Sequence, residues 1–163
     1  MALEIERKFL VVNDGWREAA GSRLYIVDHL IVQFDFGKAR IRFCDHTATL
    51  TIKGLRRGFT RGEYHISLSN ADARSMVEEF AKGPGLEKWR HEVDMDGLVW
   101  QVDEYMGPLI GLVTADVELP AEDHPLPIPD WVGREITGDS RYSSAQLASV
   151  ARASETAARI DHP

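Results

Sequence analysis

Short segments in which ionic and apolar side chains alternate one for one recur along this chain. The first, "EIERKFL", sets Glu4, Glu6 and Lys8 on one parity, while Leu3, Ile5 and Phe9 take the other. Successive side chains of a β-strand point to opposite faces, so the spacing gathers the charge on one side of a sheet. The pattern returns as Arg40 and Arg42; Lys53; Arg61, Glu63 and His65; Lys88 and Arg90; Gln101 and Asp103; Asp116 and Glu118. Residues between them are largely apolar, such as Ile41, Phe43, Ile52, Trp100, Val102 and Val117. The periodicity predicts strands over about residues 3–12, 23–34, 38–44, 47–53, 61–68, 87–94, 98–104 and 112–119, with turns at "FGK", "KGLRRG" and "DMDG". Eight mostly antiparallel strands in 163 residues predict an α+β chain, predominantly antiparallel β. The expected form is a closed or nearly closed eight-stranded barrel with helices packed outside, because closure removes exposed edges. An open sheet with helices on one face is the alternative.

Two helices are predicted. In "NADARSMVEEFAKGPG", Asn70 serves as the cap, Met76, Val77 and Phe80 form an apolar stripe, and Gly83 with Pro84 supplies the stop. The second, over about 143–158, carries Leu147, Val150 and Ala151 at helical spacing and ends in a polar tail expected to fray. Between strands and last helix, "PAEDHPLPIPDW" reads as an ordered loop. No repeat, low-complexity tract or linker divides the chain, so residues 1–163 read as one domain.

Composition narrows the partners. With 26 acidic and 19 basic residues the net charge is −7, which argues against broad attraction to nucleic acid or to an anionic membrane. Cys44 is the single cysteine, no apolar leader precedes Glu4, and the longest uncharged stretch, Tyr105 to Ala115, is too short to cross a bilayer. A cytoplasmic protein is expected. Any apolar barrel surface left bare by the helices could pair subunits into a homodimer.

Charged residues on one face could simply meet water, as in any half-buried sheet. If the barrel closes with its apolar side under the helices, the charges point inward. Such an interior must hold water, ions and a ligand, since each unpaired buried ion costs several kcal/mol. Seven cations, Lys8, Arg40, Arg42, Lys53, Arg61, Lys88 and Arg90, would then converge on one cavity and call for a polyanion. The step from Glu4 to Lys8 spans roughly 13 Å at about 3.3 Å per residue, enough to run beside a short phosphate chain. Carboxylates would repel that polyanion unless Mg²⁺ or Mn²⁺ bridges the two.

These residues resemble a known family. "EIERKFL" matches the ExExK signature of the CYTH domain, the triphosphate tunnel metalloenzymes, and the chain looks like a small bacterial-type single-domain member. In the same order, "ARIRF" is similar to the paired-arginine strand, "TLTIK" to the strand ending in a phosphate-binding lysine, "TRGEYHISL" to the Arg-x-Glu strand, "LEKWRHEV" to the Lys-x-Arg strand, and "DVEL" to the acidic metal strand. "EITGDSRYSSAQLA" resembles the closing segment.

The resemblance implies a role for each matched position. Glu4, Glu6, Asp116 and Glu118 would ligate metal, and the seven cations would hold phosphates. Glu63 would serve a second metal or position the attacking water, and Lys88 would act as acid or leaving-group stabiliser, with Glu6, Glu63 and Lys88 as the catalytic set. It also implies metal-dependent hydrolysis of a triphosphate, most simply inorganic tripolyphosphate, by water attack on a terminal phosphoryl group. A nucleoside or thiamine triphosphatase, a class IV-type adenylyl cyclase, and a non-catalytic polyphosphate- or nucleotide-binding module are the other readings. Three positions depart from the family pattern: His65 stands where a second acid is common, Ser144 where an asparagine is usual, and "YIVDHL" lacks the Gln-x-Tyr pattern.

Elsewhere Cys44 reads as an incidental thiol, and His29, His46, His91, His124 and His162 as surface or hydrogen-bonded residues. Trp16, Trp89, Trp100 and Trp131 read as packing residues. Glu135, Asp139 and Arg141 could line the tunnel mouth or form surface ion pairs.

Overall fold

The structure is a computed structural model and describes residues 3–160. Its elements run β1 (Leu3–Val11), β2 (Ala20–Phe34), β3 (Gly37–Cys44), β4 (Thr47–Gly54), β5 (Thr60–Leu68), α1 (Asn70–Phe80), β6 (Leu86–Met95), β7 (Leu98–Tyr105), β8 (Val113–Glu118), β9 (Val132–Glu135) and α2 (Ser144–Ile160). The first eight strands pair antiparallel in the ring order β1-β5-β4-β3-β2-β6-β7-β8, and β8 returns to β1. Closure falls to β1: Leu3 to Ile5 pair with β5, while Glu6 to Leu10 pair with β8 along the other edge. The predicted strands match the observed ones, the largest difference being the start of β2 at Ala20.

The ninth strand was not anticipated. Its four residues, "VGRE", follow the proline-rich loop, contain a glycine, and are too few to show a period of two. β9 pairs with β1 at Phe9↔Glu135 and Val11↔Val132. At the β6–β7 turn both loop residues have positive φ, Asp96 at 52° and Gly97 at 78°, which makes the two-residue hairpin that matches strand twist.

The apolar core lies outside the barrel. Phe9, Val93, Trp100, Val102, Ala115 and Val117 form its largest part, covered by the 120–131 loop with Trp131 and by Trp16 from the β1–β2 connection. Trp100 and Trp131 meet edge to face at 5.4 Å. Ala73 of α1 packs on Ile41 and Ala48, supported by Met76 and Val77. Leu147, Ala148 and Ala151 of α2 pack on Leu86 and Tyr105. Leu86 shares the parity of Lys88 and Arg90, and Tyr105 that of Gln101 and Asp103, so α2 lies over one opening of the barrel.

Both helices correct details of the sequence reading. Ser69, not Asn70, is the cap of α1: its hydroxyl accepts from the Asp72 N–H at 3.0 Å, while the Asn70 amide donates to the His46 carbonyl. α1 ends at Phe80, before Gly83 and Pro84, and Phe80 is exposed. Val150 also faces solvent, so Leu147 and Ala151 alone of the predicted trio are buried. The first-turn contact of α2 is Ser143, whose hydroxyl accepts from the Gln146 N–H. His162 lies outside the described residues. Among the described residues no helix is long and apolar enough to cross a membrane.

An exterior core makes its indoles decisive for stability. Trp100→Ala should lower the unfolding free energy by about 3–5 kcal/mol in a urea titration. A loss below about 1 kcal/mol would mean that the outer face is not the core.

Candidate functional site

The barrel encloses a cavity of about 380 Å³. All twelve residues given a metal, phosphate or catalytic role from the sequence line it: Glu4, Glu6, Lys8, Arg40, Arg42, Lys53, Arg61, Glu63, Lys88, Arg90, Asp116 and Glu118. They reach it because each has the inward parity of its strand. Ser143 and Ser144, at the start of α2, close the wall beside Leu86 and Tyr105.

Strand register decides which charges meet. Opposite charges stand directly across neighbouring strands at Glu4↔Arg61, Lys53↔Glu63, Lys8↔Asp116, Asp28↔Arg42 and Arg90↔Asp103. Each becomes an ion pair, as burial demands. Arg61 Nε lies 2.8 Å from Glu4, Lys53 Nζ 2.6 Å from Glu63, and Lys8 Nζ 3.0 Å from Asp116. Arg90 donates from Nε and Nη2 to the two oxygens of Asp103, both at 2.7 Å, and Lys88 Nζ donates to Asp103 at 2.6 Å.

Two registers instead oppose like charges: Glu6↔Glu118 and Lys38↔Lys53. Like charges directly across a sheet destabilise it. The carboxyl of Glu118 is raised by burial and by Glu4, Glu6 and Glu63 around it. Among the described residues it has no ion pair, whereas Glu6 takes Arg56 at 3.1 Å and Arg61 at 3.4 Å. On the basic side, burial together with Arg61, Lys53, Arg40 and Lys8 pushes Lys38 down to about 8. Lys53 is lowered by burial, Arg40 and Arg61. Arg40 is lowered by burial that Asp28 only partly offsets, and its buried Nε has no hydrogen-bond partner among the described residues. The cavity therefore holds a spot short of positive charge and a spot short of negative charge.

The remaining groups follow from their pairings. Burial would raise Asp28 and Asp103, but Arg40, Arg42 and Lys88 hold the first well below the usual range, and Arg90 and Lys88 hold down the second. Glu63 falls to about 2 against its burial, through its contact with Glu4 and through Lys53. Lys88, fully enclosed, is brought down to about 7 by burial and by Arg90, despite Asp103.

Several lining residues escaped the sequence reading. Lys38 has the parity of Arg40 and Arg42 but opens its strand, and its Nζ donates to the Ser144 hydroxyl at 2.8 Å. Arg56 comes from the "KGLRRG" turn, where periodicity gives no face. Asp28 sits in "YIVDHL", a run with no ionic alternation in which one acid looks incidental. Asp139 lines the cavity, whereas Glu135 bonds Arg7, which has the outward parity of β1, and Arg141 bonds Asp139. His65 stands at the rim, Nδ1 3.2 Å from the Thr51 hydroxyl and Nε2 3.4 Å from Glu63. His91 is buried against Glu104, 2.7 Å away.

Metal ligation has a donor set but no finished shell. Among the described residues no three acidic, histidine or cysteine side chains stand together as metal ligands, because Glu4 and Glu6 are turned to Arg61. The available donors are all carboxylate oxygens, and the like-charged Glu6–Glu118 register is relieved by a hard divalent cation, so the residues fit one.

The chain is similar to known proteins. A family model described as the CYTH domain matches residues 2–152. The inorganic triphosphatase of Acetivibrio thermocellus is 38% identical over 148 residues, covering 90% of this chain and 94% of that protein. The inorganic triphosphatase of Nitrosomonas europaea is 32% identical over 150 residues, covering 89% and 96%. The crystal structure of an inorganic triphosphatase superposes with a TM-score of 0.62 at 28% identity, covering 91% of this chain and 95% of that one. A Pyrococcus horikoshii protein at 14% identity, with a TM-score of 0.60 and 74% and 80% coverage, shares the fold alone.

The depressed carboxylates set an acid limit. Asp28, Asp103 and Glu63 bind protons more weakly folded than unfolded, so their stabilisation is present above the unfolded carboxylate range and is lost as pH falls through their folded values. The urea midpoint should drop steadily between about pH 5 and pH 3. A midpoint that rose over this interval would contradict the pairings.

Proposed function

The chain belongs to the CYTH domain family, and on that footing we propose that it hydrolyses inorganic triphosphate to phosphate and a shorter phosphate product. The observation that carries this reading is the crowd of cations around the Lys38↔Lys53 register, where Arg40, Arg61 and Lys8 add to one another's repulsion. A compact polyanion is the ligand that relieves it. Relatives named inorganic triphosphatase over most of the chain support the choice of anion.

In this reading Lys8, Lys38, Arg40, Lys53 and Arg61 grip the phosphates, with Arg42 and Arg90 bordering the anion. A bound divalent cation, Mg²⁺ or Mn²⁺, would be held by Glu4, Glu6, Asp116 and Glu118 and would supply neutralisation of charge on the phosphoryl oxygens. Glu63, ionised and fixed by Lys53, orients the attacking water. As the new P–O bond forms, the bridging P–O bond breaks, the departing phosphate keeps its electron pair, and the proton lost by the attacking water passes by way of Glu63 to the water of the tunnel. Lys88, which burial makes able to release a proton near neutrality, protonates or stabilises that leaving oxygen. His65 takes the water-facing side of Glu63 rather than a ligand's place. The residues act as one tunnel domain, and the lone thiol of Cys44 suits a reducing, cytoplasmic setting.

Glu4→Gln and Glu118→Gln should each reduce phosphate release from tripolyphosphate with Mg²⁺ or Mn²⁺ by about a hundredfold or more, Glu118→Gln with a melting temperature close to that of the parent and Glu4→Gln with a lower one, because it breaks the pair with Arg61. Full activity in both variants would break the assignment.

A further inference from the structure

We infer that Asp28 is a specificity-determining residue: its carboxylate occupies the anion site of the paired arginines and so limits the length of phosphate chain the tunnel accepts. The inference rests on the triphosphate reading of the cavity. Arg42 donates from Nε to Oδ1 and from Nη2 to Oδ2, both at 2.8 Å, and Arg40 Nη1 donates to Oδ2 at 3.0 Å. Lys88 Nζ lies 3.8 Å from the same oxygen. Two guanidinium groups and an ammonium around two oxygens is the arrangement with which arginines hold a phosphate. Here the chain's own side chain takes that place, buried at 5% exposure.

The arrangement is fixed by the backbone, since Asp28 stands directly across from Arg42 in the β2–β3 register. Asp28 also differs from the other carboxylates in position. Glu4, Glu6, Asp116 and Glu118 come from the neighbouring strands β1 and β8, and a divalent cation there would draw Glu4 and Glu6 off Arg61. In the ring order β2 is four strands from β1 in either direction, across the tunnel from that cation. Off its arginines Asp28 would have, among the described residues, only Lys88 within reach, and that ammonium is already held by Asp103 at 2.6 Å. A short anion can be held by Lys8, Lys38, Lys53, Arg61 and the Nε of Arg40, unpartnered among the described residues, without disturbing the pair. A longer chain that reaches Arg42 meets a carboxylate on the same donors, and displacing it would leave a buried charge unpaired.

Asp28→Asn keeps the shape and removes the charge. Dissociation constants for inorganic tripolyphosphate and tetrapolyphosphate should be measured by calorimetry without divalent metal, with kcat and KM for both chains in Mg²⁺. The parent should hold tetrapolyphosphate no more tightly than tripolyphosphate, and Asp28→Asn should shift that ratio toward the longer chain by about tenfold, the yield of one released charged contact. Asp28→Glu, which restores the charge, should return the ratio toward the parent's. A ratio unchanged in Asp28→Asn, or equal weakening of both anions, would assign Asp28 a merely structural pairing and overturn the inference. If Asp28→Asn does not fold, the parent decides: binding tetrapolyphosphate about tenfold more tightly than tripolyphosphate overturns it, and equal or weaker binding upholds it. A parent that binds neither anion overturns the triphosphate reading itself, an outcome distinct from binding with an unchanged ratio.

Discussion

Charge inside a closed barrel survives only where each ion has a counter-ion, and here strand register makes the matches. Five cross-strand registers bring opposite charges face to face, from Glu4↔Arg61 on β1 and β5 to Arg90↔Asp103 on β6 and β7. Shifting any of these strands by one residue would turn its ions outward and its apolar side chains into the cavity. Fold and site therefore rest on the same pairing. The exceptions, Glu6↔Glu118 and Lys38↔Lys53, leave one acidic and one basic spot unbalanced within a single cavity. A hard cation and a polyanion are the partners those two spots require.

An ionic interior displaces the hydrophobic core to the outside. Hydrocarbon burial, the main favourable term in folding, is supplied beneath two helices and a proline-rich loop. The loop is thus structural: Trp131 at its end closes over Trp100. α2 connects the two regions, since its apolar side packs on Leu86 and Tyr105 while its first residues, through Ser144 and Lys38, form part of the cavity wall. Ser144 offers its hydroxyl oxygen to a tunnel cation, Lys38.

Much of this was legible in the sequence because a period of two is unambiguous when one parity is ionic and the other hydrocarbon. The eight barrel strands and the twelve tunnel residues follow from that contrast. It fails where the contrast is missing. β9 is four residues long and carries no period, and Arg56 lies in a turn. Asp28 lies in a strand without ionic alternation, where a single acid gives no hint that it faces two arginines two strand positions apart on the next strand. Helix details failed for another reason: Ser69 and Asn70 are both good caps, and only backbone geometry selects between them. Val150 and Phe80 fit a helical stripe by spacing, but the surface each helix covers is narrower than the stripe.

In this account ionic side chains share one wet channel that receives the substrate. A crystal structure with tripolyphosphate and Mn²⁺, the metal located by its anomalous scattering, tests it most directly. Phosphate density among Lys38, Lys53 and Arg61, with Mn²⁺ against Glu6 and Glu118, is the predicted result. Tripolyphosphate bound on the outer surface, with Arg61 still holding Glu4, would contradict it.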